Sequence, residues 1–205
     1  MKNIFITLIS IILLSIGCEK DKSNPVSNEG THNSIVIIPL NLGNQWLVQR
    51  TSFDSLGTIS DSDTILCKVE YDTTFLNEKW YKTSWGFINN KADGVWHYYG
   101  SSSNVQGIEY STLTWAYPAT ANYKYKPLYA NSIITVISVD EEYTTPTETF
   151  KCYHYQLIYD NTNGYQQDYY FCPGVGIVKW EDGIKSSTGK WYTCIKYELL
   201  SYTTK

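Results

Sequence analysis

Histidine is scarce in this chain, which has only three in 205 residues: His32, His97 and His154. None of them stands in a nucleophile pattern with serine or cysteine. G-x-S-x-G, H-E-x-x-H and a glycine-rich phosphate loop are also missing. These absences leave no motif for a hydrolase, a zinc peptidase or a nucleotide-binding enzyme. We therefore expect a protein that is not an enzyme and has no cofactor.

Two weaker arrangements could carry catalysis. Cys152 and His154 are two residues apart, so in a strand both would lie on one face. A disulfide at Cys152 is the better expectation in an exported chain. Asp140, Glu141 and Glu142 could supply an acid and a base, but an adjacent carboxylate cluster is typical of solvated surface.

Other features that the sequence lacks exclude metal, nucleic-acid and membrane-spanning roles for the folded part of the chain. The cysteine spacings lack C-x₂-C pairs, so we expect no metal site. The net charge is only −4 and the basic residues are scattered, which predicts no nucleic-acid partner. Amphipathic helical stretches are nearly absent, and no apolar run after the first eighteen residues is long enough to span a bilayer.

The first eighteen residues have the order of an export signal. Met1-Lys2-Asn3 carries positive charge, residues 4–16 are almost wholly apolar, and Gly17 precedes Cys18. Residues 15–18 resemble the lipobox of bacterial lipoproteins, although Ser15 stands where that family commonly has leucine. The resemblance implies that residues 1–17 are removed and that Cys18 carries fatty acyl chains such as palmitate. The alternative is an uncleaved anchor or an ordinary signal.

A polar segment follows the predicted anchor. Residues 18–34 contain one aliphatic residue, Val26, and cannot form a core. We interpret them as a flexible tether, although the charges of residues 19–22 could also act as a sorting signal. The expected location is the bacterial cell envelope, with the outer membrane favoured and the lipid anchor as the membrane partner.

The composition of residues 35–205 predicts a single all-β domain. Nineteen tyrosines and seven tryptophans accompany many Thr, Val and Ile residues, which favour strands. Short connections predict an antiparallel meander that curls into a barrel or half-barrel, with a two-sheet sandwich as the alternative. About ten strands are predicted, at 45–53, 64–71, 79–87, 95–99, 108–115, 132–143, 149–159, 165–171, 175–180 and 190–202.

Four cysteines besides Cys18 are consistent with two disulfides. The Asn163-Gly164 hairpin signal, with Tyr159 opposite Tyr165, would place Cys152 opposite Cys172. We therefore predict a Cys152–Cys172 bond, which leaves Cys67 to pair with Cys194. Free core thiols are the alternative, with Cys67 the clearest candidate.

Clustered aromatic residues are the candidate binding groups. Their rings could stack on sugars or line a cavity inside the curled sheet, or they could serve only cross-strand packing. The candidates are Trp80, Tyr81, Trp85, Trp96, Tyr98 and Tyr99.

Three ordered segments resemble an uncharacterised family of bacterial secreted proteins and lipoproteins. The opening segment, I-P-L-N-L-G-N-Q-W at 38–46, is similar to F-P-L-x-x-G-N-x-W. T-P-T-E-T-F-K-C at 145–152 is similar to V-P-A-G-T-F-x-C, and Y-Y-F-C-P-G-V-G-I-V-K at 169–179 is similar to Y-Y-A-P-G-V-G-L-V-K. The resemblance implies a curved antiparallel sheet and no established activity. Physically, Gly43-Asn44 and Pro173-Gly174 read as turns, Trp46 as a core residue, and Gly176 as a position too tight for a bulky side chain.

These observations predict a lipid-anchored envelope protein that binds a ligand or partner without catalysis. The candidate partners are a small apolar ligand, a glycan or another envelope protein. A structural or assembly component of the envelope and a glycan-binding module are the alternatives.

Overall fold

The computed structural model describes residues 36–75, 77–100, 110–128, 131–159, 164–186 and 189–205. All of them belong to the compact unit Ser34–Lys205. The predicted signal segment and the whole of the predicted tether, including Cys18, lie outside the described residues.

The described part of the chain is built from antiparallel strands and contains no α-helix. The all-β prediction is therefore confirmed. The strands are β1 (Gln45–Phe53), β2 (Ile59–Phe75), β3 (Glu78–Thr83), β4 (Gly86–Lys91), β5 (Gly94–Tyr98), β6 (Ser111–Ala116), β7 (Lys124–Tyr125), β8 (Ser132–Thr144), β9 (Thr149–Tyr159), β10 (Tyr165–Cys172), β11 (Gly176–Lys185) and β12 (Trp191–Thr203).

All twelve strands belong to one sheet in the order β6-β5-β4-β3-β2-β1-β12-β11-β10-β9-β8-β7. Each strand pairs with its neighbour in sequence, except that β1 pairs with β12 and β6 does not pair with β7. This is a curled meander that is left open at one seam, as predicted, rather than two separate sheets. The seventeen-residue β2 is shared between the two halves, since its first part pairs with β1 and its last part with β3.

Tyrosine side chains bridge the open seam. The Tyr125 hydroxyl of β7 accepts from the Ala116 N–H at 3.1 Å and donates to the Thr114 carbonyl at 2.7 Å. The Tyr155 hydroxyl of β9 donates to the Ala116 carbonyl at 2.7 Å. Backbone groups of the β6 edge that have no strand partner are thereby satisfied.

The core lies on the concave face of the sheet. Trp46 and Tyr155 are fully buried in it, together with Val95 and Ile134. A smaller aromatic cluster of Trp80, Phe87 and Tyr98 forms separately. Alternation along the strands produces this division, because neighbouring residues such as Trp80 and Tyr81 point to opposite faces.

The first and third of the three family-like segments meet at one place in the fold. The Trp46 indole N–H donates to the Val175 carbonyl at 2.6 Å, and a Cβ on Gly176 would lie 3.1 Å from the same nitrogen. Gly43 and Gly174 both adopt positive φ in turns. The structural roles predicted for Trp46, Gly176 and the two turns are therefore confirmed.

Several predicted boundaries were wrong. The strand predicted at 79–87 is divided into β3 and β4 by a turn at Ser84-Trp85, and β4 runs on to Lys91. Asp182 and Gly183 lie inside β11, where a bulge interrupts the register, and the hairpin turn comes after Lys185.

A candidate ligand-binding cavity

An apolar cavity of about 260 Å³ opens within the concave face of the sheet. This volume lies just below the range of about 300–1,000 Å³ typical of small-molecule pockets, so the occupant would be small. Its aromatic walls are Trp85, His97, Trp115, Tyr169, Phe171 and Trp180. Ile38, Ile88, Val95 and Ile177 complete the lining.

Packing between rings fixes the cavity walls. Trp115 of β6 contacts the rings of Tyr155, Tyr169 and Phe171 at centroid distances of 5.4, 4.4 and 5.0 Å. On the far side, Trp180 stacks on Tyr197 at 3.7 Å. Rings held by other rings in this way lose little further freedom when a ligand binds, which favours a preformed site.

Among the described lining residues, His97 carries a buried ring nitrogen that lacks a hydrogen-bond partner. Its Nε2 is inaccessible to solvent and makes no hydrogen bond in the described structure. Burial lowers the pKa of this imidazole from 6.5 to about 4. His97 is therefore neutral at neutral pH and adds no charge to the cavity.

A polar group of side chains lies further along β10 and β11, on the same face of the sheet as the cavity residues Tyr169 and Trp180. Gln167 lies directly opposite Asp182, and its amide donates to the Asp182 carboxylate at 2.8 Å. The same amide donates to the Tyr165 hydroxyl at 3.2 Å. Tyr169 and Trp180 form the preceding cross-strand pair on this face and also line the cavity. The concave face thus changes from apolar to polar along these strands.

The structure separates the six predicted binding residues. Trp85 lines the cavity, whereas Trp80 and Tyr98 are buried in the small aromatic cluster, where no sugar ring can reach them. Tyr81 packs against the main core, and Tyr99 is 58% exposed. Trp96 donates from its indole to Asp93 at 2.8 Å and lies under the Lys91 ammonium.

Sequence clustering missed the other aromatic walls because it followed neighbours along the chain. His97 lies between two of the predicted residues, but strand alternation turns it toward the cavity and them away from it. Trp115, Tyr169 and Trp180 come from β6, β10 and β11. The available signal was alternation within each strand, combined with the pairing of distant strands.

His154 lies on the opposite face of the sheet and is held between two carboxylates. Its Nδ1 is 2.8 Å from a Glu141 oxygen and its Nε2 is 2.9 Å from an Asp168 oxygen. Its ring also stacks on Tyr170 at 4.3 Å. Both ring nitrogens are used in this way, so neither of them pairs with Cys152. Burial raises the pKa of the Cys152 thiol to about 12.

The four cysteines among the described residues, Cys67, Cys152, Cys172 and Cys194, are free thiols. The β9–β10 register pairs Phe171 with Tyr153, so the next pair in the same register is Cys172 opposite Cys152. The predicted register is confirmed, while the bond itself stays a prediction that thiol counting on purified protein would test.

The second predicted bond is corrected by the strand order. Cys67 lies opposite Trp46 of β1, which in turn lies opposite Tyr202 of β12. Cys194 lies near the other end of β12, roughly 20 Å or more away at the usual rise per residue. A disulfide requires α-carbons within about 7 Å, so Cys67 and Cys194 cannot pair in this fold.

Among the described residues, no group of three or more His, Cys, Asp or Glu side chains is arranged to hold a metal ion. No helix long and apolar enough to cross a membrane occurs in the same part of the chain.

No protein-family model matches the sequence, and no curated protein matches it either. Two solved structures resemble the fold. One is a "putative lipoprotein" from Parabacteroides distasonis, with 14% identity and a TM-score of 0.44 over 82% of this chain and 99% of that one. The other is a "putative exported protein with YmcC-like fold" from Bacteroides fragilis, with 11% identity and a TM-score of 0.38 over 82% and 98% of the two chains. At these scores neither likeness says anything about a ligand or an activity.

Proposed function

We propose that this chain is a lipid-anchored protein of the bacterial envelope whose β domain binds a small ligand without catalysis. The observation that carries the binding proposal is the 260 Å³ cavity, with its ring-packed walls and the unpartnered His97 nitrogen. A cavity lined mainly by aromatic and apolar side chains, with few polar groups, is typical of small-molecule sites.

The anchoring part of the proposal rests on the sequence. An apolar run of thirteen residues at 4–16 leads through Gly17 to Cys18, and a polar segment follows. Several acyl chains on Cys18 would hold the protein stably at a membrane, where a single chain would be marginal. The same arrangement supports export and a location in the envelope, with the outer membrane favoured.

A binding role is favoured over catalysis by the chemistry of the cavity. Among the described residues, its lining offers no thiol, hydroxymethyl group or carboxylate, and the His97 imidazole is neutral at neutral pH. The walls can therefore enclose and orient an apolar body, but they supply no obvious nucleophile.

Filling the cavity tests the proposal. Ile88 lines the cavity and is 1% exposed, so Ile88→Phe would place extra carbon atoms inside it. Ile133→Phe makes the same change at a position that is 47% exposed. With indole as the probe, followed by ligand-observed NMR and thermal shift, we expect the wild type and Ile133→Phe to bind and Ile88→Phe to bind at least tenfold more weakly.

Two results would contradict the proposal. Equal binding of indole to Ile88→Phe and the wild type would place the ligand elsewhere. Absence of binding to the wild type, together with co-purification of another envelope protein, would favour a structural or assembly role instead.

A further inference from the structure

Asp182 is a nearly buried carboxylate without a cationic partner. It is 9% exposed, and it takes part in none of the salt bridges formed by the described residues. Its side-chain hydrogen bonds come from neutral groups, the Gln167 amide at 2.8 Å and the Tyr165 hydroxyl. A carboxylate removed from water is costly unless a positive charge or several donors compensate it.

Tyrosine hydroxyls lie close to this carboxylate. The Gln167 amide that donates to Asp182 also donates to the Tyr165 hydroxyl at 3.2 Å, and the Tyr159 hydroxyl donates to the Gln167 amide oxygen at 3.4 Å. Burial raises the pKa of the Tyr159, Tyr165 and Tyr169 hydroxyls, and the negative charge of Asp182 raises each of them further. Tyr159 and Tyr165 contact each other at 5.3 Å. Tyrosine rings beside an anionic side chain can bind an organic ammonium group, since the anion attracts it by charge and a ring face by cation–π attraction.

The carboxylate lies next to the cavity. Trp180 precedes it by two residues on the same face of β11, a separation of roughly 7 Å in a strand. Trp180 and its cross-strand partner Tyr169 line the cavity. A molecule whose ring occupies the cavity could therefore place a group two or three bonds away beside Asp182.

The nearby positive charges are already engaged or absent. Arg50 bonds to Asp61 at 3.2 Å and Asp63 at 2.8 Å. Lys179 and Lys196 belong to the opposite face, where they pair with Glu181 and Glu198. His97 is neutral at neutral pH because burial lowers its pKa to about 4. No cation of the described structure neutralises Asp182.

We propose that the cavity binds a small organic amine, whose apolar ring lies between Trp85 and Trp115 and whose ammonium group pairs with Asp182 among the tyrosines. This inference rests on the proposed function, because it uses the same cavity. It adds the charge and the chemical class of the ligand.

Three probes of one shape separate charge from cavity filling. 2-Phenylethylamine is a cation at pH 7, 2-phenylethanol is neutral, and 3-phenylpropionate is an anion. Calorimetric titration of the full-length protein in detergent, against a detergent blank, should show the amine binding at least tenfold more tightly than the alcohol. The anion should bind most weakly.

Asp182→Asn provides the matched variant, with Asp140→Asn at an exposed position as its control. We expect Asp182→Asn to lose tenfold or more in affinity for the amine and to keep its affinity for the alcohol within twofold. Asp140→Asn should behave as the wild type. If the melting curve shows that Asp182→Asn does not fold, the ratio of the wild-type affinities for the amine and the alcohol still tests the amine inference.

The outcomes distinguish the two proposals. If the alcohol binds the wild type as tightly as the amine, the amine inference is overturned and the ligand cavity stands. If none of the three probes binds the wild type, the ligand cavity and the amine inference fall together.

Discussion

Gly176 lies against the Trp46 indole and has a φ of +101°. Gly176→Ala should destabilise the protein for two reasons. The backbone conformation is strained for alanine, and the new Cβ crowds the Trp46 indole. Gly57 has a φ of +79° but open space around it, so Gly57→Ala carries only the backbone strain, about 1–2 kcal/mol.

We expect Gly176→Ala to exceed that loss by about 1–3 kcal/mol, the usual cost of overpacking a core. Urea unfolding followed by tryptophan fluorescence would measure both variants. Equal losses would show that the Trp46 contact contributes nothing.

His154 should make stability depend on pH. Burial lowers the pKa of its imidazole, but the hydrogen bonds and charges of Asp168 and Glu141 outweigh burial, so the net shift is upward from 6.5. A raised folded pKa means that the stabilisation is fully present below about pH 6.5 and is lost as the pH rises through the folded value.

The comparison of wild type with His154→Gln isolates this contribution, since His97 is common to both. We expect the wild type to be more stable at pH 5.5, and the difference to shrink by roughly 1 kcal/mol by pH 9, a modest value because Glu141 is partly exposed to solvent screening. Chemical unfolding at the two pH values measures it. A difference that does not change with pH would contradict the charged pairing.

At the scale of strands, the hydrogen bonding between β6 and β7 depends on the Tyr125 hydroxyl. Tyr125→Phe removes the group that satisfies both the Ala116 N–H and the Thr114 carbonyl. We expect a loss of about 1–3 kcal/mol, the cost of leaving buried backbone groups unpaired. Hydrogen exchange at the Ala116 amide should become faster.

Tyr123→Phe is the control for the seam. Tyr123 stacks on Tyr125 at 5.4 Å but is 45% exposed, so loss of its hydroxyl should leave stability nearly unchanged. If the two variants unfold at the same urea concentration, the Tyr125 hydroxyl does not hold the seam.

Features of the sheet that depend on residues close in sequence could be predicted from the sequence. Features that depend on strands distant in sequence could not. The Asn163-Gly164 signal led to the correct β9–β10 register, because a short hairpin fixes its own pairing. The strand predicted at 175–180 stopped short of Asp182-Gly183, whereas β11 continues through these two residues with a bulge. The cavity could not be predicted for the same reason, since Trp115 and Trp180 line one cavity only after the sheet curls.

For the whole molecule, attachment to the membrane is predicted to depend on Cys18, the predicted lipidation site. Cys18→Ala should abolish incorporation of labelled palmitate and release the protein from the membrane fraction, because the removed chains supply the membrane affinity. Cys194→Ala should keep the label and the membrane location. Label retained in Cys18→Ala would rule out this anchor.

The pairing of β1 with β12 has a consequence for the connectivity of the sheet. Gln45 lies opposite Thr203, and the Asn41 amide donates to the Lys205 carbonyl, so the two ends of the domain meet. If a linker joined these ends and the chain were opened between β6 and β7, every pair of adjacent strands would be consecutive in sequence. Such a circular permutant would keep every strand pair of the native sheet, and its new termini would fall at the seam.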